Sequence, residues 1–332
     1  MTKLLLTGGC GYVGSHVLHL LLEHGYQCTV YDNLSTGHAQ AISNTELIIG
    51  DVGDKKLLDE LFSSNKFDAV LHFAGFIEAG ESMENPAKYF ENNLFKPVAL
   101  LESLRKQSPI PILFSSTAAV YGNPKTIPIA EDAEILPTNP YGLTKYLFEE
   151  MLRIYENAYK LRSVSLRYFN AAGADESGNI GETHNPESHL IPIICQAALG
   201  KRYGISIYGT DYPTHDGTCI RDYIHVNDLA EAHLLALQAL FDGKASRIYN
   251  LGNGKGFSVK EVVATVKSVT GKEFQVISAR RRPGDPVSLV ASSVRAMKEL
   301  GWRPKKSLLD IVTSAWKWHL THPLGYAPLL IS

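Results

Sequence analysis

Leu4-Leu5-Leu6-Thr7 runs straight into Gly8-Gly9-Cys10-Gly11-Tyr12-Val13-Gly14, after which apolar residues recur at Val17, Leu20, Leu21 and Leu22 up to Gly25. Read along the chain, this is a buried strand, a tight turn, and a helix stopped by glycine. The glycines allow a sharp turn and a close backbone approach, while the first helical turn presents free N–H groups. A G-x-G-x-x-G or G-x-x-G-x-x-G pattern between strand and helix suits a dinucleotide pyrophosphate. Asp32 closes the next apolar run and suits a ribose hydroxyl pair. Residues 33–37 hold no lysine or arginine for a 2′-phosphate, so NAD is expected rather than NADP. A second carboxylate, Asp51 after Ile48-Ile49-Gly50, fits either the adenine edge or a helix cap.

The alternation continues through the first half. Cys28–Tyr31, Leu47–Ile49, Ala69–Phe73, Ile112–Ser115 and Ser163–Tyr168 read as strands, with helices at Lys55–Ser64, Ala87–Gln107 and Pro140–Tyr159. Short continuous apolar strands separated by helices predict a parallel sheet covered on both faces, a Rossmann-type doubly wound α/β fold. After Asn170 the pattern loosens. Helices are predicted at Leu190–Leu199, Asn227–Leu240 and Leu308–Leu320, a strand at Arg247–Leu251, and a helix from the capping box Ser258–Glu261 to near Gly271. Residues 171–187 and 208–218 read as long loops of the kind that bind ligands. The 332 residues exceed one ordinary core. We expect an NAD-binding domain over 1–170, to which 227–251 returns, and a smaller mixed α/β substrate domain over 171–332.

Net charge of −2 gives no footprint for a nucleic-acid backbone. Leu4–Leu6 is too short for a signal-peptide core, and no apolar run reaches bilayer length, so no membrane and a cytoplasmic location are expected. The cysteines at 10, 28, 195 and 219 form no C-x-x-C pair and read as free thiols. His16 and His19 lack a carboxylate or cysteine at metal spacing, and His72 reads as a core residue, so no metal site is expected. Trp302, Trp316 and Trp318 read as packing residues.

Tyr141 and Lys145 stand four apart on a predicted helix and therefore share a face. An ammonium beside a phenol favours the phenolate, which would make Tyr141 a usable general base. Ser115-Ser116-Thr117 precedes them at the end of a predicted strand.

Together, Thr7–Gly14, Tyr31–Gly37, Gly50-Asp51-Val52, His72–Gly75, Gly80-Glu81-Ser82, Ser115–Gly122 and Tyr141–Lys145 resemble the extended short-chain dehydrogenase/reductase family. The later motifs Arg167–Asn170, Asp211–Thr214, Asp216–Thr218 and Arg221–Val226 resemble its UDP-sugar 4-epimerase branch. The resemblance implies reversible C4 epimerisation of UDP-glucose and UDP-galactose through a 4-keto sugar, with NAD as cofactor. It implies Tyr141 as base, Lys145 as its tuning partner, and Thr117 as the hydroxyl on the sugar oxygen. The cofactor would be held by Gly8, Gly11, Tyr12, Val13, Gly14, Asp32, Asn33, Asp51, Val52, Phe73, Ala74, Gly75, Asn92, Ser115, Tyr141, Lys145 and Tyr168. Thr117, Tyr141, Asn170, His189, Leu190, Tyr208, Arg221, Arg282, Asp285 and Leu289 would hold the substrate, the two arginines on its diphosphate.

Ile77 and His189 depart from the commonest residues of the branch, and Leu289 is intermediate between bulky and small residues beside the sugar C2 group. UDP-GlcNAc/UDP-GalNAc epimerisation is the alternative. A nucleotide-sugar dehydratase would carry an acidic pair where Ala118 and Ala119 stand, and a non-catalytic sensor would lack the retained Thr117, Tyr141 and Lys145. A homodimer through a four-helix bundle is also implied, using about 87–107 and 140–159.

Overall fold

The computed structural model describes residues 1–42, 44–107, 110–282 and 285–326, so positions 283–284 and 327–332 of the expected second domain lie outside the described residues. In chain order the elements are β1 (Lys3–Thr7), α1 (Tyr12–Glu23), β2 (Gln27–Asp32), β3 (Glu46–Ile49), α2 (Lys55–Ser64), β4 (Ala69–His72), α3 (Ala79–Glu84), α4 (Pro86–Phe90) and α5 (Pro97–Leu104). They continue with β5 (Ile112–Thr117), α6 (Pro140–Tyr159), β6 (Ser163–Tyr168), β7 (Asn170–Ala172), α7 (Leu190–Ala198), β8 (Gly204–Tyr208), β9 (Ile220–Arg221), β10 (Tyr223–His225) and α8 (Val226–Phe241). Then come β11 (Arg247–Leu251), β12 (Phe257–Ser258), α9 (Val259–Thr270), β13 (Gln275–Ala279), β14 (Ser288–Leu289), α10 (Val294–Glu299) and α11 (Leu308–Thr321).

Seven strands form one sheet in the order β11-β6-β5-β4-β1-β2-β3, all parallel. Side chains of a strand alternate between faces, and β1 shows the consequence. Leu4 and Leu6 pack with Val17, Leu21, Leu229, Leu237 and Trp302 on one side. Leu5 packs with Val70, Leu101, Phe114, Phe148 and Leu152 on the other. A separate core of Ile191, Ile194, Val262, Val266, Ile311 and Val312 joins α7, α9 and α11. The smaller sheets are β10-β7, β12-β9-β14 and β13-β8. Among the described residues no helix is long and apolar enough to cross a membrane.

The single helix expected over 87–107 is a correction. The chain instead runs α4, a π turn at Glu91–Phe95, and then α5, which opens at Pro97. Proline has no N–H for the helical ladder, and the turn before it widens to absorb the loss. The π turn carries Asn92 and Asn93, both of which face the site described next.

Candidate active site

At the end of β1 the backbone of Gly8 adopts φ +75°, and a Cβ there would lie 2.3 Å from the Ala74 nitrogen. A Cβ on Gly14 would lie 2.5 Å from the Gly8 carbonyl oxygen. Neither position accepts a side chain. Asp32 Oδ2 accepts the Cys10 N–H at 2.9 Å and Oδ1 the Leu34 N–H at 2.8 Å, which pins the glycine turn to β2. Burial pushes the Asp32 carboxyl up, and those two N–H groups oppose it. Helix α1 begins at Tyr12 with Gly11 in the cap position. Among the described residues it has neither a side-chain cap nor an acidic residue in its first turn. Its leading amides and positive end are therefore disposed to an anion, and the cradle fits a dinucleotide pyrophosphate. The Tyr12 hydroxyl donates to the Gly173 carbonyl at 2.6 Å, so its side chain belongs to the segment after β7.

Asp51 lies among Asn33, Lys96 and the Gly53 N–H, which donate to its carboxylate at 3.0, 2.8 and 2.8 Å. Burial opposes these contacts, but they hold its carboxyl below the usual range. It does not cap α2, because Asp54 accepts the Leu57 N–H there. Lys96 is a partner that sequence reasoning missed. Val52 is buried beside this group. Phe73 and Ala74 both donate backbone N–H groups to the Thr7 carbonyl, which places them at the mouth of β1. Asn92 donates to Asn93, and Asn93 brackets the backbone of Phe76 next to Gly75.

Thr117 ends β5, and Tyr141 is the second residue of α6, whose cap Asn139 accepts the Gly142 N–H at 2.8 Å. Pro140 at the first position suits this start. Burial pushes the Tyr141 phenol up to about 12, with the Thr117 hydroxyl opposing. Lys145 is buried beside the end of β5. Its Nζ donates to the Ser115 carbonyl at 2.9 Å and stands 4.9 Å from the Phe114 ring centroid. The expected lowering of the Tyr141 pKa is thus corrected: burial of the phenol raises it, and the Lys145 ammonium is taken up by the Ser115 carbonyl. Burial instead lowers Lys145 to about 8, with Glu149 opposing. Ser115 Oγ and the Tyr168 hydroxyl are hydrogen-bonded, completing a polar strip along β5 and β6.

One turn beyond Lys145, Glu149 accepts from Ser116 at 2.5 Å and from Arg167 at 2.9, 3.2 and 2.5 Å. Arg167 also donates to the Tyr121 hydroxyl, which donates to Asn250. This buried network locks α6 to β5, β6 and β11. His72 is a core residue, as expected, with Nδ1 2.6 Å from Thr7 Oγ1 and its ring against both Phe114 and Phe148.

On the other side, β9 and β14 pair Arg221 with Leu289. Arg221 donates to the Pro286 carbonyl at 2.9 Å and forms an ion pair of 3.3 Å with Asp285. Arg282 lies over the Tyr208 ring at 4.0 Å. Five of the expected substrate residues are therefore gathered in one place. Asp222 anchors the same region by accepting the N–H groups of Asn253, Gly254 and Ala291. Asn170 is exposed at the start of β7 and donates its N–H to the Asp222 carbonyl. Leu289 packs against the buried cluster that holds Phe169, Tyr121 and Ile129.

His189 occupies the N-cap position of α7 ahead of Leu190 without a side-chain cap, and its Nδ1 is bound to Glu182. Burial opposes, but that carboxylate pushes the imidazole up to about 9. Glu182, His184, Glu187 and His189 offer four ligand-type atoms within 4.8 Å of one another. The spacing E-x-H-x-x-E-x-H in the sequence was the signal that would have found them.

The profile of the NAD dependent epimerase/dehydratase family matches residues 4–252. The UDP-glucose 4-epimerase of Halalkalibacterium halodurans is 52% identical over 325 residues, covering 98% of this chain and 97% of its own. The crystal structure of UDP-glucose 4-epimerase from Brucella ovis in complex with NAD superposes with a TM-score of 0.93 at 44% identity, over 95% of this chain and 98% of that one. The Bifidobacterium longum UDP-glucose 4-epimerase, in complex with NAD+ and UDP, gives a TM-score of 0.93 at 37% identity over 98% and 100%. Match length, identity and fold agree: the chain belongs to the NAD dependent epimerase/dehydratase family.

Proposed function

We propose that the protein is an NAD-dependent isomerase that interconverts UDP-glucose and UDP-galactose at C4, in galactose metabolism. The observation that carries this reading is the placement of Thr117 at the end of β5 and Tyr141 at the start of α6, at the strand ends that also carry the glycine cradle. The relatives named UDP-glucose 4-epimerase support it. Gly8, Gly11, Gly14, Asp32 and the α1 amides would hold the dinucleotide, with Asn33, Asp51, Val52, Phe73, Ala74 and Gly75 around its adenosine half. Asn92, Ser115, Lys145 and Tyr168 would line the nicotinamide half. Bound NAD supplies a reversible hydride acceptor for C4 and a positively charged ring that favours phenolate.

Tyr141 takes the proton of the C4 hydroxyl and returns it to the opposite configuration. Thr117 orients that hydroxyl and stabilises the phenolate. Arg221, Arg282 and Asp285, with Asn170, Leu190 and Tyr208, retain the uridine diphosphate while the sugar turns about its diphosphate linkage. Ala118 and Ala119 cannot protonate a leaving hydroxyl, which sets this site apart from a dehydratase. The strands of the seven-stranded sheet make up the cofactor domain, and the core of α7, α9 and α11 the substrate domain. The cysteines, all free, suit a reducing cytoplasm.

Anomeric-proton NMR of UDP-galactose incubated with the protein and NAD tests the assignment, with UDP-GalNAc in parallel to read the N-acetyl alternative at Leu289. UDP-glucose should accumulate with the wild type. Tyr141→Phe should lose interconversion while still binding NAD. Undiminished turnover in that variant, or none by the wild type on either sugar, would falsify the reading.

A further inference from the structure

We propose that Glu182, His184, Glu187 and His189 form a closed site for one zinc-like divalent cation. The loop before α7 brings two carboxylates inside the protein, Glu182 at 3% and Glu187 at 8% exposure, and sets two imidazoles against them. Buried carboxylates demand compensating positive charge. His189, hydrogen-bonded through Nδ1 to Glu182, and backbone amides meet part of the demand. Glu187 Oε1 accepts the N–H groups of Ser188 and His189 at 3.0 Å each.

His184 Nδ1 is the telling atom. It is shut off from solvent and has no hydrogen-bond partner among the described residues. Yet it stands 3.4 Å from Glu182 Oε1 and 3.6 Å from Glu187 Oε1. These separations are too long for a good hydrogen bond, which prefers about 2.7–3.2 Å. They match ligands of one tetrahedral ion, because bonds of about 2.0–2.2 Å place ligand atoms about 3.3–3.6 Å apart, whereas His189 and Glu182 stand in direct hydrogen-bond contact and part to admit the ion. The His184 and His189 rings stand nearly perpendicular, at 83° with centroids 5.2 Å apart, so their nitrogens converge without stacking.

Binding displaces the proton that holds His189 Nδ1 to Glu182, and two neutral imidazoles, two carboxylates and a dication then sum to no net charge. A nitrogen and oxygen donor set without thiolate suits zinc or a neighbouring first-row ion over magnesium or calcium. An outer layer is present as well. The amides of Ser188 and His189 orient Glu187, and the Trp318 indole donates to the Glu182 carbonyl at 3.0 Å. All four positions are filled by protein, so the ion is structural. It clamps the loop from Glu182 to Glu187 to the start of α7, where His189 and Leu190 stand.

The test uses the full chain, stripped with a chelator and titrated with zinc against a chromophoric competitor, with metal content read by mass spectrometry. The wild type should bind one zinc per chain and rise in Tm, and X-ray absorption should show nitrogen and oxygen neighbours without sulfur. His184→Gln and Glu187→Gln should each weaken zinc by at least ~10-fold and lose the Tm response. Two variants are used so that one misfolded protein leaves the other to be read, and the wild-type titration decides by itself. Failure of the wild type to retain zinc, equal zinc binding by a folded variant, or sulfur in the coordination shell would each overturn the proposal.

Discussion

Lys145 holds its ammonium where water barely reaches, at 3% exposure, against one backbone carbonyl and an aromatic face. Burial lowers its pKa from 10.5 to about 8, so the unfolded chain binds this proton more tightly than the folded one. Stability therefore rises with pH between about 8 and 10.4, and below that window the buried charge costs about 3 kcal/mol. Lys145→Met removes the charge and one hydrogen bond. It should melt at a higher temperature than the wild type at pH 7, with the gap closing as pH climbs past 8 towards 10. A lower Tm at pH 7, or a gap independent of pH, would contradict this account. The residue pattern was legible as far as the face: Tyr141 and Lys145 do begin on one side of α6. Where the lysine ends was not legible, because the Ser115 carbonyl that claims it lies on β5, thirty positions away.

Helix α6 carries Tyr141 and is set in place by Glu149, whose carboxylate faces the Arg167 guanidinium with both side chains nearly out of solvent. Breaking such a pair leaves an uncompensated charge and costs about 3–5 kcal/mol. Glu149→Gln should lower the urea midpoint by that amount of stability. Glu149→Leu combined with Arg167→Met should recover much of it, and equal loss in both would show that the pair matters for shape rather than charge. Elements of this length were readable from their period: Lys55–Ser64, Pro140–Tyr159, Ser163–Tyr168 and Arg247–Leu251 fall where the sequence places them. The helix at 87–107 failed at Pro97, where periodicity persists while the hydrogen-bond ladder does not. The strands β7, β9, β10, β12 and β14 hold two or three residues each, too few to show alternation, and their partners lie elsewhere in the chain.

At the scale of the molecule, the two faces of the sheet are covered unequally. Helix α8 and α1 close one face with a thick apolar layer. On the other, α3, α4, the π turn and α6 pack on one another and still leave Met83 at 63%, Phe95 at 58% and Ile154 at 53% exposure. We propose that a second copy covers this helical layer, forming the four-helix bundle that the family resemblance implies. An isologous interface sets each residue near its own symmetry mate, so one substitution acts twice. Ile154→Glu would bring two carboxylates into an apolar contact, where each lacks a partner and repels the other. Sedimentation equilibrium should find a dimer for the wild type and a monomer for Ile154→Glu. Ile154→Leu, similar in volume, should remain dimeric. A wild type that sediments as a monomer over the concentrations used for assay would refute the dimer. A variant as dimeric as the wild type would move the interface to another face.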